Sequence, residues 1–190
     1  MKFVKVQQKN FLDNVISDAD YKFLKTKLKT DAYDEWYFIV WFMAATGARV
    51  SELLHIKAEH VQVGYLDLYS KGGKIRRLYI PKTLRIEATK WIKEKELSSG
   101  YIFLNRFGQR ITTRGIAQQL KHFAEKYGLN RDVVYPHSFR HRFAKNFLDR
   151  FNDLALLADL MGHESIETTR IYLRRTASEQ QKIVDRVVNW

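Results

Sequence analysis

The chain has 190 residues, of which 45% are hydrophobic and 14% aromatic, a composition that predicts one domain with a sizeable core. It has no cysteine, no apolar run near the roughly 20 residues that span a membrane and no signal-peptide pattern, which excludes a disulfide framework and argues against a membrane protein. Lys and Arg number 33 against 21 Asp and Glu, and the net charge of +12 favours an anionic partner, nucleic acid before others.

Apolar spacing predicts that most of the chain is helical. Residues 1–16 are interpreted as a linker or as the remnant of an amino-terminal segment, and residues 17–190 as one domain. The second predicted helix is apolar nearly all round, so it should lie at the centre of the domain. The predicted helices cover residues 18–28, 34–46, 50–56, 84–97, 113–127, 137–150, 153–161, 165–174 and 178–189.

A different pattern, with an apolar period of two, covers residues 61–80 and indicates β-strands. In its middle, residues 71–74 read Lys-Gly-Gly-Lys, a turn sequence that predicts a hairpin. Residues 101–104 are interpreted as one further short strand. The predicted fold class is therefore α+β, mostly α: a helical domain with a small antiparallel sheet of about three strands.

Three segments carry polar residues at positions where a segment packed in the core would have apolar ones. The first follows the most apolar helix and reads Thr-Gly-Ala-Arg-Val-Ser-Glu-Leu over residues 46–53. Arg49 should lie at the edge of the core with Glu52 within reach, and its planar guanidinium suits two oxygens of a phosphate. The alternative is a simple Arg49–Glu52 pair on one helix face.

The second segment is Pro-His-Ser-Phe-Arg-His, residues 136–141. His137 and Arg140 are three residues apart, so they share a helix face near the helix amino terminus, where the dipole favours an anion. The alternative is a metal pair made of His137 and His141. Zinc hydrolases with that spacing carry Glu after the first His, whereas Ser138 stands there, so no metal site is predicted.

The third segment ends a predicted helix. Residues 160–164 read Leu-Met-Gly-His-Glu, and Gly162 should stop the helix so that His163 lies in a loop. Nine residues after His163 comes Tyr172, which by itself would be interpreted as a packing residue. Each of the three segments is a weak signal alone.

In this order and at these spacings, the segments resemble the tyrosine recombinase (phage integrase) family. The matching motifs are residues 46–53, His-Ser-Phe-Arg at 137–140, Leu-Met-Gly-His at 160–163 with Tyr172 at the expected interval, and Ser-Lys-Gly-Gly-Lys-Ile-Arg at 70–76. The resemblance covers roughly residues 17–175. It implies the catalytic domain of a site-specific DNA recombinase, or integrase, that cleaves and rejoins DNA through a covalent 3′-phosphotyrosyl intermediate.

The resemblance also implies how the phosphate is held. Arg49 and Arg140 would bind the non-bridging oxygens of the scissile phosphate, and His163 would hydrogen-bond the same group. Glu52 would orient the site from behind. Fixed cations of this kind can stabilise the negative charge that develops on a phosphate without a metal ion.

The remaining implied roles concern bond breaking. Tyr172 would be the nucleophile, His137 would help deprotonate it, and Lys71 would protonate the leaving 5′ oxygen. Lys74 is a second lysine in the same turn, and Ser70 stands where the family often has Gly. All of the catalytic residues should meet in one basic pocket.

The resemblance implies partners as well. Neither metal, ATP nor any other cofactor is expected, and the partner is double-stranded DNA. The expected assembly is a homotetramer on DNA, with a monomer or weak association in the free, cytoplasmic protein of a bacterium or phage. Residues 178–190 form a predicted tail helix that either folds back on its own domain or docks on a neighbouring subunit. Family members usually carry an amino-terminal DNA-clamping domain, so the sequence is interpreted as an excised catalytic domain or a naturally short protein.

Three other functions are alternatives. A type IB topoisomerase shares the chemistry, but the His-x-x-Arg and Gly-His motifs favour a recombinase. A non-catalytic DNA-binding regulator could keep the fold, but the complete set of polar partners for Tyr172 argues against it. A basic RNA-binding module is disfavoured because no aromatic motif of the kind that stacks on RNA bases is recognisable.

Overall fold

The structure, a computed structural model, describes residues 15–69, 75–163, 165–173 and 184–187. In chain order its elements are α1 (Asp18–Thr30), α2 (Asp34–Thr46), α3 (Val50–Leu53), α4 (Ala58–Val63), β1 (Tyr65–Tyr69), β2 (Ile75–Tyr79), α5 (Lys82–Glu94), α6 (Thr113–Lys126), α7 (Pro136–Arg150), α8 (Leu154–Met161), α9 (Ile166–Arg170) and a 3-10 turn (Ile171–Leu173). Residues 184–187 are also helical, and the rest of the predicted tail helix lies outside the described residues.

Helix α2 lies at the centre of the domain, as its apolar sequence predicts. Seven of its residues are buried, and α1, α5 and α7 pack around it. The ring of Phe38 stacks on Trp91 of α5 with 4.5 Å between centroids. At the end of α2, Gly47 lies so close to the ring of Phe143 on α7 that a side chain would not fit there. This close approach brings the loop before α3 next to α7.

Several helices begin and end at the predicted residues. The Ser17 side chain accepts a hydrogen bond from the backbone N–H of Asp20 at 3.0 Å, and Thr112 accepts one from Gly115 at 3.0 Å. Helix α8 ends at Gly162, as predicted. These boundaries follow from capping interactions between residues that are neighbours in sequence.

Strands β1 and β2 pair as an antiparallel hairpin, with Tyr65 opposite Tyr79 and Tyr69 opposite Ile75. The predicted fold class is confirmed, because the domain is mostly helical with a small antiparallel sheet. The tip of the hairpin, residues 70–74, lies outside the described residues.

Two details differ from the prediction. Within the described part of the chain the sheet has two strands, and residues 101–104 form single bridges instead of a third strand. Ile102 and Phe103 are adjacent and both buried, so their side chains do not alternate between two faces as a strand requires. Residues 61–63, which were predicted to begin the strand region, belong to α4, where Val61 is fully buried.

A second, smaller apolar cluster lies between α7, α8 and the 3-10 turn. Its buried centre consists of Ala144 and Leu148 from α7 with Leu157 and Met161 from α8. Tyr172 packs against this centre and is half-buried. The cluster therefore holds the turn that carries Tyr172 against α7.

Candidate active site

Three arginines from distant parts of the chain converge on the carboxyl end of α8. Each donates a hydrogen bond to one of three successive backbone carbonyls: Arg76 to Leu160 at 2.8 Å, Arg140 to Met161 at 2.7 Å and Arg49 to Gly162 at 3.1 Å. The last carbonyls of a helix lack partners within the helix and form the negative end of its dipole, so they attract cations. The end of α8 thereby holds three guanidinium groups in fixed positions.

Arg140 is deeply buried, with 3% of its surface exposed. It lies early in α7 and also donates from Nη1 to the carbonyl oxygen of Gly47, just after α2. Burial, followed by the positive charges of Arg49 and Arg76, lowers the pKa of Arg140 to about 10. The guanidinium is therefore still charged at neutral pH, and it is rigidly held.

Arg49 stands at the start of α3 and forms the pair with Glu52 that was one interpretation of the sequence. Its backbone N–H donates to Oε2 of Glu52 at 2.7 Å, and its Nη1 donates to Oε1 at 2.8 Å. The additional bond to Gly162 ties this pair to α8. Because 42% of the Arg49 side chain is exposed, this guanidinium is accessible to a ligand from solvent.

Arg76 on β2 received no role from the sequence, although it lies in the matched segment 70–76. Its Nη1 donates to Oε1 of Glu52 at 2.7 Å, and only 10% of its side chain is exposed. Burial alone would raise the pKa of Glu52, but Arg76 and Arg49 outweigh it and keep that pKa lowered. The signal that could have identified Arg76 is strand alternation, which puts it on the same face as the buried Leu78.

Gly162 has two reasons to be glycine. Its φ of 62° lies in the left-handed region, which glycine adopts without strain. In addition, a Cβ at this position would collide with Cδ of Arg76. The sequence predicted the helix stop, and the close approach of Arg76 is visible only in the folded domain.

His163 follows directly and contacts Arg140. Its Nε2 lies 3.1 Å from Nη2 of Arg140, and its Nδ1 lies 2.7 Å from the hydroxyl of the buried Thr169. An arginine can only donate, so Nε2 accepts and Nδ1 carries the proton that is donated to Thr169. Burial, then Arg140 and Arg49, lower the pKa of His163 to about 4. The ring is therefore neutral, and Thr169 fixes its orientation.

Tyr172 contacts a histidine other than the predicted one. Its hydroxyl lies 2.7 Å from Nδ1 of His141, one helical turn beyond His137 on α7. The two histidine rings are themselves 5.5 Å apart, edge to face. Burial is the main cause that raises the pKa of Tyr172 to about 12. His137 is the more exposed of the two histidines, and partial desolvation, followed by the positive charges of Arg140 and Arg49, lowers its pKa.

The structure thus brings Arg49, Arg140 and His163 together at the end of α8. Tyr172 is linked to the same region through α7, since His141 follows Arg140 directly. The predicted proton donor Lys71 lies outside the described residues, as does Lys74. Nearby β2 is anchored at the site through Arg76, which donates to both Leu160 and Glu52.

In the described ranges, no helix is long and apolar enough to cross a membrane. The same ranges hold no group of three or more His, Asp or Glu side chains that could bind one metal ion. Of the two histidines considered as a metal pair, His141 has its Nδ1 engaged by the Tyr172 hydroxyl.

Comparison with known proteins gives the family. The sequence model of the phage integrase family matches residues 15–179. The chain belongs to this family. The resemblance carried by the four motifs is therefore confirmed. One relative is the tyrosine recombinase XerA of Pyrococcus furiosus, which is 34% identical over 154 residues. Another is the tyrosine recombinase XerD of Listeria innocua, which is 34% identical over 141 residues.

The matched region is only part of those relatives. The XerA alignment covers 78% of this chain and 53% of XerA, and the XerD alignment covers 70% of this chain and 47% of XerD. The chain thus spans about half the length of the curated relatives it matches.

Solved structures of the family share the fold. A crystal structure of XerA recombinase has a TM-score of 0.74 at 24% identity, covering 90% of this chain and 62% of that one. The XerH recombinase bound to its difH substrate has a TM-score of 0.73 at 21% identity, covering 93% and 55%. The catalytic domain of bacteriophage HP1 integrase has a TM-score of 0.58 at 19% identity, covering 93% and 97%.

Proposed function

We propose that this chain is the catalytic domain of a tyrosine recombinase, which cleaves and rejoins DNA with Tyr172 as the nucleophile. The observation that carries the proposal is the grouping of Arg49, Arg140 and His163 around one turn at the end of α8. Membership in the phage integrase family supports it, and so do relatives named tyrosine recombinases.

The two arginines would bind the non-bridging oxygens of the scissile phosphate. Arg140 is fixed by backbone carbonyls on two sides, so it would need little reorganisation as negative charge develops. Arg49 is partly exposed, and its described side-chain bonds leave further N–H donors for a ligand. Glu52 would orient Arg49, and Arg76 would in turn fix Glu52.

His163 would take part as a hydrogen-bond donor to the phosphate. In the DNA-free protein its Nε2 accepts from Arg140, so it has to gain a proton there before it can donate. A bound phosphate favours this change, because a nearby anion raises the pKa of an imidazole. Thr169 would hold the ring in place throughout.

In the cleavage step, the Tyr172 oxygen would attack phosphorus. The new bond joins that oxygen to phosphorus while the bond from phosphorus to the 5′ oxygen breaks. His137 is proposed to help remove the tyrosine proton, and Lys71 to give a proton to the leaving oxygen. One phosphodiester replaces another, so no ATP is required, and the arginines supply the positive charge for which other enzymes use a metal ion.

The proposed partner is double-stranded DNA. The net charge of +12 favours it, and two relatives of the same fold, the Tn1549 transposon integrase and XerH, were solved with DNA. We further propose a homotetramer on DNA, with monomeric or weakly associated protein in the absence of DNA, in the cytoplasm of a bacterium. Four copies would bring four strands and four tyrosines to one exchange complex.

The test is covalent trapping on nicked duplexes of random sequence, in which the cleaved fragment diffuses away. The wild-type chain is expected to form a protein–DNA adduct on a denaturing gel. Tyr172→Phe should form none while its gel-shift affinity stays nearly unchanged, because only the hydroxyl is lost. Tyr79→Phe is the matched control, since Tyr79 is an exposed tyrosine on the outer face of β2, and it should keep the adduct.

Other outcomes would favour other functions. An adduct in Tyr172→Phe would mean that another residue is the nucleophile. DNA binding without any adduct in the wild-type chain, across a pool of nicked duplexes that samples many sequences, would indicate a non-catalytic DNA-binding protein. Relaxation of supercoiled DNA without strand exchange between two sites would indicate a topoisomerase.

A further inference from the structure

The Tyr172 hydroxyl has a defined side-chain partner in the DNA-free protein. It lies 2.7 Å from Nδ1 of His141, and the two rings lie 5.6 Å apart between centroids. Whichever of the two atoms donates, the bond fixes the tyrosine oxygen on α7. His141 has no role in the chemistry proposed above, which assigns proton removal to His137.

Two sets of contacts maintain this arrangement. The ring of Tyr172 packs on the small apolar cluster between α7 and α8, whose centre includes Ala144 and Met161. From the other side, the ring of His137 meets His141 edge to face at 5.5 Å. The 3-10 turn also contacts α7. The tyrosine is thus held by packing as well as by one hydrogen bond.

The hydrogen bond between Tyr172 and His141 is better suited to hold the hydroxyl in place than to remove its proton. Burial, followed by His137 and Arg140, lowers the pKa of His141 to about 4, while burial raises that of Tyr172 to about 12. The proton therefore stays on the tyrosine oxygen when the two are in contact. A neutral imidazole activates a hydroxyl only if it is basic enough to take the proton, and the lowered pKa of His141 makes it a weak base for this tyrosine.

We propose that His141 is a positioning residue that holds the Tyr172 hydroxyl in a resting place, and that cleavage requires the hydroxyl to leave Nδ1 of His141. This inference rests on the proposed function of Tyr172. His137 lies one turn away on the same helix, about 6 Å along its axis. The hydroxyl must therefore leave His141 before His137 can help to remove its proton.

The first test uses DNA-free protein and the rate at which tetranitromethane nitrates Tyr172, measured by mass spectrometry. His141→Leu, which removes the acceptor but keeps bulk, should raise that rate about fivefold, the effect of losing one neutral hydrogen bond. His141→Asn keeps a polar atom near the position of Nδ1 and should stay close to wild type. Tyr69 is highly exposed and serves as the internal standard in each sample.

The second test measures the rate of covalent adduct formation on the nicked duplexes. His141→Leu should form adduct about fivefold faster than wild type at equal DNA affinity, because the resting contact is absent. His141→Asn should again resemble wild type. Urea denaturation of the same variant checks that a faster rate does not come from a loosened fold. Slower adduct formation by His141→Leu at unchanged affinity would overturn the proposal, because His141 would then serve the reaction directly.

A thermodynamic cycle covers the case in which His141→Leu folds poorly. Unfolding free energies of His141→Asn, Tyr172→Phe and the double variant should show coupling between the two positions. Additive effects together with unchanged nitration would overturn the resting contact. Absence of any adduct in the wild-type chain would overturn the proposed function instead, while nitration and the cycle would still decide whether His141 holds Tyr172.

Discussion

Oε1 of Glu52 accepts hydrogen bonds from two guanidinium groups, that of Arg49 at 2.8 Å and that of Arg76 at 2.7 Å. The side chains of Arg76 and Glu52 are only 10% and 15% exposed. A buried ion pair adds little net stability, but removal of one member leaves the other charge without compensation in a poorly solvated place. At the scale of single residues, loss of Arg76 should therefore cost the fold much more than loss of an exposed arginine.

We expect Arg76→Met to lower the free energy of unfolding by roughly 2–4 kcal/mol, measured by urea denaturation. The variant leaves Glu52 with one partner and removes the donor to Leu160. Arg77→Met on the same strand is the matched control. Arg77 pairs with Asp67 on the outer face, so its loss should be much smaller. Equal losses in the two variants would contradict the buried role of Arg76.

The neutral His163 predicts acid sensitivity. The folded protein depresses the pKa of His163 to about 4, whereas the unfolded chain protonates this ring near 6.5. Unfolding therefore takes up a proton between these values, and the folded state loses stability as the pH falls from about 6.5 to about 4. His163→Asn should lose less stability than wild type over this interval, as followed by urea denaturation at several pH values. An identical loss would show that His163 does not contribute.

At the scale of elements, the end of the chain presents apolar side chains without a described apolar partner surface. Residues 184–187 are helical, and within them Val184 and Val187 are exposed. Sequence spacing adds Ile183 and Val188, which lie outside the described residues, to the same predicted face. Both interpretations of residues 178–190, folding back or docking on a neighbouring subunit, remain predictions.

We expect deletion of residues 178–190 to weaken assembly on paired DNA sites more than binding to one site. The physical reason is that a docked apolar helix contributes only when a second subunit is present. Gel shifts of the truncated and intact chains on one-site and two-site DNA measure the difference. Equal losses on both substrates, or a large loss of thermal stability, would favour a tail that folds back on its own domain.

At the scale of the whole molecule, the chain has 33 basic and 21 acidic residues, which is more positive charge than the candidate active site needs to bind one phosphate. Only a few of the arginines surround the end of α8. The remaining positive charge should act on the DNA backbone and add affinity that is largely independent of base sequence.

DNA binding by this domain should therefore weaken steeply with salt. Each phosphate that the protein neutralises contributes about −0.9 to the slope of log affinity against log salt concentration. Titration of one duplex at three salt concentrations gives the slope, and an unrelated duplex should give nearly the same value. A flat dependence would argue against a phosphate-dominated interface.

The sequence by itself determined most of the helices, several of their ends and the list of candidate residues, although it missed α4 and predicted strand for residues 61–63. Capping depends on neighbours, so Ser17, Thr112 and Gly162 could be recognised from local patterns. The family followed from motif order, and with it the candidates Arg49 and Arg140. Strand alternation failed at Ile102 because the tertiary core buries both adjacent side chains there.

Only the tertiary structure decided which atoms meet. Arg76 and Leu160 are 84 residues apart, and Arg49 and Gly162 are 113 apart, so no local pattern could pair them. The family resemblance implied His137 as the histidine for Tyr172, whereas the packing of the 3-10 turn on α7 brings the hydroxyl to His141. The helical repeat determines that His137 and His141 share a face of α7. Which of the two meets Tyr172 depends on where along α7 the 3-10 turn packs, and the whole packed core determines that position.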